Sequence, residues 1–292
     1  MQIEINGQSA YAYTGGKPFD ARLPCVVFIH GAQGDHSVWS LQSRWFAHHG
    51  FAVLAVDLPG HGRSAGGPLP SIEDLADWIE LLLEKLGAGC ALALRDGDAP
   101  SGAVNAGDSA SRAGNTAKNV SLVGHSMGSL TALECASRHP ARISRIAMIG
   151  TAVPMPVSDA LLGAAKDQEP KAIAMINSWS HSPRGTIGGN TVPGMWLLGA
   201  SRRLMERQKP GVLYNDLSAC NAYRHGMEAA AALSCPAMII SGSRDMMTHP
   251  KAAAKLAAAI SDVSSVKLDG AGHALMSEQP DAVLDALRGF IA

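Results

Sequence analysis

Short apolar runs recur along this chain between stretches of helical periodicity, and that alternation limits the fold more than any other feature. Cys25–Ile29, residues 51–56 and residues 237–240 are unbroken apolar runs. A strand with one wet face would alternate polar and apolar side chains, so unbroken runs belong to strands covered on both faces, as in parallel sheets. Residues 120–123, Ile143–Ile149 and 265–268 read as further strands. Between them the spacing predicts helices over Ser40–His48, from an N-capping Ser71 through Leu86 with Glu73 and Asp74 in the first turn, from Gly128 to Arg138, and over Pro280–Ile291. Residues 1–13 alternate around Asn6-Gly7 and predict an edge hairpin. The fold class is therefore α/β, with a mostly parallel central sheet flanked by helices.

Two segments break the rhythm. Residues 95–118 consist mainly of Gly, Ala, Ser, Asn and Asp, with Val104 as the one sizeable apolar side chain. Such a stretch cannot bury enough surface to offset the entropy of ordering it, so a flexible insertion is expected. Residues 153–234 separate two core strands and are rich in Ala, Leu, Met and Trp. That is too long for a crossover, and the expectation is an inserted, mobile helical lid. The core then comprises residues 1–152 and 235–292.

The formal charge of −1 and pI near 6.8 provide no basic field for nucleic acid or an anionic membrane. The chain shows neither a signal-peptide pattern nor an apolar run long enough to span a bilayer. Cys25, Cys90, Cys135, Cys220 and Cys235 are odd in number and scattered, four of them in or beside apolar segments. Buried, reduced thiols and a cytoplasmic location are the expectation. The expected partner is a small molecule, and a homodimer is compatible with this composition.

Ser126 stands in Gly124-His-Ser-Met-Gly128, after a strand and before a helix. A sharp strand-to-helix turn needs small residues on either side; it lifts the hydroxyl above the sheet edge and points a helix N-terminus at developing negative charge. A serine hydroxyl needs a base to take its proton. Gly270-Ala-Gly-His273 follows the last strand, with glycines that let the loop fold back toward the sheet edge. Of the other histidines, His125 would point away on its turn, and His48, His49, His139 and His249 look like helix-end surface residues. The imidazole needs a carboxylate to fix its tautomer. Asp245 follows the strand at 237–240, whereas Gly150-Thr-Ala152, the other place for such an acid, offers none. The candidate triad is Ser126, Asp245 and His273.

The loop His30-Gly31-Ala-Gln-Gly34 can place an amide opposite that turn. The candidate oxyanion hole is the amides of Ala32 and Met127, with Gln33 as the alternative to Ala32; one such donor is worth ~10²–10³ in rate. Two patterns are set aside. The glycines from Gly60 to Gly66 are followed by Gly67-Pro-Leu-Pro70, which blocks the helix a nucleotide loop must open. The stretch from His30 to His36 puts Gly31 and Gln33 where a metallo-hydrolase needs ligands. Neither cofactor nor metal is expected. In the lid, Trp179, His181, Met195, Trp196, Met205 and Tyr223 are candidates to line a substrate pocket.

The motifs HGAQG, DLPGHGRS, GHSMG and SRD with GAGH, in this order over nearly the whole chain, resemble the lidded α/β-hydrolase fold family, which includes esterases, epoxide hydrolases, haloperoxidases and C–C bond hydrolases. The serine at the turn sets aside the dehalogenase and epoxide hydrolase members, which use aspartate there. The resemblance implies a serine hydrolase, with a carboxylic ester as the expected substrate. The alternatives are a C–C bond hydrolase of vinylogous diketones and a ligand receptor of negligible turnover. Replacing residues 95–118 by a short glycine-serine link is expected to leave melting temperature and ester turnover nearly unchanged. A large loss of either would show that the segment packs on the core or the site.

Overall fold

Successive side chains of a strand point to opposite faces, so each unbroken apolar run supplies two cores at once. The structure, a computed structural model, describes residues 1–88, 119–187 and 194–292. The expected insertion at 95–118, and Cys90, lie outside the described residues. The strands are β1 (Gln2–Ile5), β2 (Gln8–Tyr13), β3 (Cys25–Ile29), β4 (Ala52–Asp57), β5 (Val120–His125), β6 (Ile143–Ile149), β7 (Ala237–Gly242) and β8 (Val263–Leu268). They form one sheet in the order β1-β2-β4-β3-β5-β6-β7-β8. The hairpin β1–β2 is antiparallel and joins β4 antiparallel; every pair from β4 to β8 is parallel.

The helices are α1 (Ser40–His48), α2 (Ile72–Leu86), α3 (Met127–Arg138), α4 (Asp159–Asp167), α5 (Glu169–Ser180), α6 (Pro183–Thr186), α7 (Leu197–Glu206), α8 (Val212–Ala222), α9 (Gly226–Ala232), α10 (Pro250–Ala257), α11 (Leu275–Glu278) and α12 (Pro280–Ile291). On one face of the sheet α2, α3, α9 and α10 cover Val27, Leu54, Leu122, Ile146 and Ile239. On the other, α1, α11 and α12 cover Phe28, Val53, Val123, Ala147 and Ile240. Ser71 caps α2 as expected, accepting from the Asp74 amide at 3.0 Å, and Gly87 closes it in the left-handed conformation. Cys25, Cys135, Cys220 and Cys235 are buried, and burial pushes the Cys25 thiol up to about 12. Among the described residues no helix is long and apolar enough to cross a membrane.

Packing divides the segment 153–234 in two. Helices α4, α5 and α7 and one face of α8 form a small cluster of their own around Leu161, Ile173, Met205, Leu213 and Leu217. Ala219 and Cys220 of α8, Tyr223, and Ala229 and Ala230 of α9 belong instead to the main core. Helix α10 drew no expectation from the sequence, although Pro250 at its start and its alanines are good helix signals.

The β5–α3 turn is the tightest joint in the sheet. A Cβ on Gly124 would stand 2.1 Å from the Gly128 carbonyl oxygen, and one on Gly128 would stand 2.3 Å from the oxygen of Ile29 at the end of β3. Both contacts are to backbone, which cannot swing aside. Gly128→Ala is therefore expected to lower stability by about 1–3 kcal/mol in urea unfolding, as overpacking does. An unchanged midpoint would contradict this close approach.

Candidate active site

In a parallel sheet the loops after the strands gather at one edge, where ligands bind. Ser126, after β5, has φ 51 and ψ −119, a left-handed conformation that L residues rarely adopt. The turn is held there by the Ser126 amide, which donates to the Ile149 carbonyl of β6 at 2.9 Å. Local strain of this kind persists only where the surroundings over-determine it.

His273, after β8, is brought to the same edge by the expected glycine loop. Gly270 has φ +76, and a Cβ on Gly272 would meet the Ser180 carbonyl oxygen at 2.7 Å. The amides of His273 and Ala274 both donate to that Ser180 oxygen, at 2.8 and 2.9 Å. Glu278 accepts from the Gly272 amide at 3.1 Å and from the Ser182 hydroxyl. The inserted helices thus grip the histidine loop directly.

Asp245 lies 2.8 Å from His273 Nδ1 through Oδ2. The same oxygen accepts from Thr248 Oγ1 at 2.7 Å, and Oδ1 accepts from the amides of Met247 and Thr248, both at 2.8 Å. Every lone-pair direction of this buried carboxylate is therefore used. Burial alone would raise its pKa, but His273 beside it and the hydrogen bonds from His273 and Thr248 prevail and hold it at about 2. An acid that stays ionised can keep a hydrogen on Nδ1 and leave Nε2 as the acceptor. Thr248 carried no expectation; its position three residues after the aspartate was the available signal.

His125 corrects one expectation. It does not point away: its ring packs on His273 with centroids 4.7 Å apart, and its Nε2 meets the His273 carbonyl oxygen at 2.9 Å. Because a carbonyl only accepts, Nε2 carries the hydrogen. Burial and the neighbouring His273 push the His125 pKa down to about 3, so it is neutral. Of the loop amides left open by the sequence, that of Gln33 is engaged by Asp216 Oδ2 at 2.9 Å, which leaves Ala32. Met127 is the first residue of α3, where helix amides have no intrahelical partner.

These groups meet in a cavity of about 700 Å³, lined by Ala32, Ser126, His125 and His273 from the sheet edge. Of the expected pocket residues, Trp179, His181, Met195 and Met205 line it. Two do not. Tyr223 is 3% exposed and donates its hydroxyl to Glu134 Oε2 at 2.7 Å, because its end of α8 belongs to the main core. Trp196 is 74% exposed, with its ring lying over Gly199 rather than the cavity. Leu41 and Met246 are apolar, exposed and line the cavity, and neither was expected from the sequence.

Asp35, His36 and Asp57 bring ligand-type atoms within 4.8 Å of one another. Both carboxylates are already engaged by protein donors. Asp35 accepts from the Ser37 amide and hydroxyl and from Arg207 and Gln208. Asp57 accepts from the His36 amide and ring and from the Arg63 amide. This is the chemistry of a structural tie rather than of a cation site.

Comparison with known proteins bears on the family and the fold. A pimeloyl-[acyl-carrier protein] methyl ester esterase of Aromatoleum aromaticum is 27% identical over 91% of this chain and 99% of its own. An (E)-2-((N-methylformamido)methylene)succinate hydrolase of Acinetobacter baylyi is 21% identical over 100% of this chain and 97% of its own. Among solved structures, the enol-lactonase of Burkholderia xenovorans superposes with a TM-score of 0.79 at 21% identity, covering 100% of this chain and 99% of that one. The model of the alpha/beta hydrolase family matches residues 26–286, and with its eight-stranded, mostly parallel sheet and hydrolase relatives the chain belongs to that family.

Proposed function

We propose that this hydrolase is a serine carboxylic ester hydrolase that works through an acyl-enzyme, with Ser126 as nucleophile, His273 as base and Asp245 as its orienting acid. The observation that carries the reading is the saturated Asp245 carboxylate, which holds His273 in one tautomer on the wall of the cavity that Ser126 also lines. With Nδ1–H committed to Asp245, Nε2 is the atom left to accept the Ser126 proton. The deprotonated oxygen attacks the ester carbonyl. The amides of Ala32 and Met127 receive the negative oxygen, worth ~10²–10³ in rate for one such donor. His273 then gives its proton to the departing alcohol, and a water activated by the same imidazole releases the acid.

The substrate reading follows from the walls. Trp179, Met195, Met205, Leu41 and Met246 make the cavity and its mouth largely apolar, which suits an uncharged acyl chain of modest length. The methyl ester esterase named among the relatives supports ester chemistry over cleavage of a C–C bond. Residues 153–234 then act as a lid that measures the acyl group, because the catalytic atoms below contact only the ester.

An organophosphonate is expected to label purified protein at Ser126 without added metal or cofactor, and Ser126→Ala is expected to abolish turnover in a panel of esters, lactones, amides and diketones. A label elsewhere, or full activity in the variant, would end this reading. Trp179→Ala is expected to reorder preference among acyl lengths by about tenfold, since a methylene contact discriminates by roughly 1–3 kcal/mol. Trp196→Ala, outside the cavity, is expected to leave that order intact. If both variants scale every ester equally, the lid does not select the acyl chain.

A further inference from the structure

Gln33 is fully buried and has φ +56, in the left-handed region that a side chain disfavours. Its three hydrogen bonds all reach the inserted helices. The amide donates to Asp216 Oδ2 of α8 at 2.9 Å, and Nε2 donates to Glu169 Oε1 of α5 at 3.0 Å and to the Met205 carbonyl of α7 at 3.1 Å. The amide of Gln33 and the carbonyl of Ala32 form one rigid peptide plane. Whatever holds the Gln33 amide therefore sets ψ of Ala32, the residue whose own amide is the loop half of the oxyanion hole in the reading above.

Asp216 is itself held. Its Oδ2 also faces His61 Nε2 at 2.8 Å, and His61 Nδ1 faces the Pro59 carbonyl at 3.0 Å; both side chains are buried. A carboxylate and a carbonyl are both acceptors, so both ring nitrogens of His61 carry hydrogen and the pair is imidazolium–carboxylate. Burial by itself would lower the His61 pKa, but the charge and hydrogen bond of Asp216, the Pro59 carbonyl and the charge of Asp57 turn the net shift upward. His30, 4.9 Å away between ring centroids, is arranged oppositely. Its Nε2 accepts from the Leu58 amide at 3.1 Å while Nδ1 donates to the Gly31 carbonyl at 2.8 Å. Burial and the charge of His61 depress it to about 4, with Asp57 and Asp35 opposing, so it stays neutral.

We propose that Asp216 and His61 are positioning residues: by holding the Ala32–Gln33 peptide they fix ψ of Ala32, and so help hold in place the adjoining Gly31–Ala32 peptide whose N–H is the loop half of the oxyanion hole. This rests on the serine hydrolase reading. A tie that merely joined lid to core would stabilise the protein without touching the chemistry, and the two roles separate by experiment.

The test uses the full chain and a short-chain nitrophenyl ester, with active sites titrated to completion by an organophosphonate so that kcat refers to folded enzyme. Asp216→Ala is expected to lower kcat ~10–100-fold, up to the value of one oxyanion donor, with KM changed less than about threefold. The affinity for a trifluoromethyl ketone, which forms a tetrahedral adduct on the serine, is expected to fall by a similar factor. Asp216→Asn is expected to rescue kcat to within about threefold of wild type. Its side-chain oxygen, in the place of Oδ2, can accept from both the Gln33 amide and His61 Nε2–H, as the carboxylate does. Where Asp216→Ala does not yield folded protein, His61→Ala carries the same test, with an expected fall in kcat of about tenfold at unchanged KM. Wild-type kcat per titrated site in Asp216→Ala, or in His61→Ala if that variant stands in, overturns the proposal. So does an Asp216→Asn variant as impaired as Asp216→Ala, since placement would then not be what Asp216 supplies. Failure of wild-type protein to be labelled at Ser126 would instead remove the hydrolase mechanism on which the proposal rests.

Discussion

Gly128 lies so close to the end of β3 that a methyl group on its Cα would be 2.3 Å from one backbone oxygen and 2.5 Å from the next, those of Ile29 and His30. That contact puts the first turn of α3 directly beside the loop that carries Ala32. It also leaves Gly124 facing the Gly128 carbonyl, which closes the turn so sharply that Ser126 takes φ 51. With the turn pressed between β3 and β6, the serine hydroxyl has no alternative but the sheet's carboxyl edge. The residues whose amides are proposed to receive an oxyanion lie at that same edge because β3 and β5 are parallel neighbours. A methyl group's worth of extra volume at either glycine would separate them, which is why glycine at both positions is a steric requirement rather than a matter of flexibility.

The inserted helices do more than cover the cavity. Ser180 supplies the carbonyl that two amides of the His273 loop need, and Ser182 shares Glu278 with that loop. Asp216, Glu169 and Met205 take up the amide and Nε2 hydrogen bonds of the strained Gln33. Polar groups buried at a joint of this kind are costly when unpaired, so each contact ties the placement of a helix to the placement of a loop at the site. Much of the remaining surface that those helices turn inward is apolar, with Arg203 and Arg207 also on the cavity lining.

Strand positions were legible because burial on both faces leaves an unmistakable mark: Cys25–Ile29 and Ile143–Ile149 are strands as read, and Ser40–His48 and Pro280–Ile291 are helices as read. The hairpin around Asn6-Gly7 was equally plain, with positive φ at both residues. Gly-x-Ser-x-Gly and Gly-x-Gly-His are local patterns whose small residues are demanded by close backbone approach, so they too could be read without coordinates. Asp245 was reached by excluding a place that holds no carboxylate, and it lies 2.8 Å from His273.

The choices that depended on distant partners were not legible. That Tyr223 is a core residue while Trp179 lines the cavity depends on Glu134, 89 positions earlier, reaching the Tyr223 hydroxyl. That His125 packs on His273 instead of turning away depends on a carbonyl 148 residues later. That the Gln33 amide is engaged, leaving Ala32 as the candidate, depends on an aspartate 183 residues downstream. The layers, the parallel sense of the strands and the glycine-flanked turns were already written in the chain, because hydrophobic period and glycine sterics are local. Which side chains share the cavity was settled by folding alone, because a hydrogen bond between remote residues leaves no period in the chain.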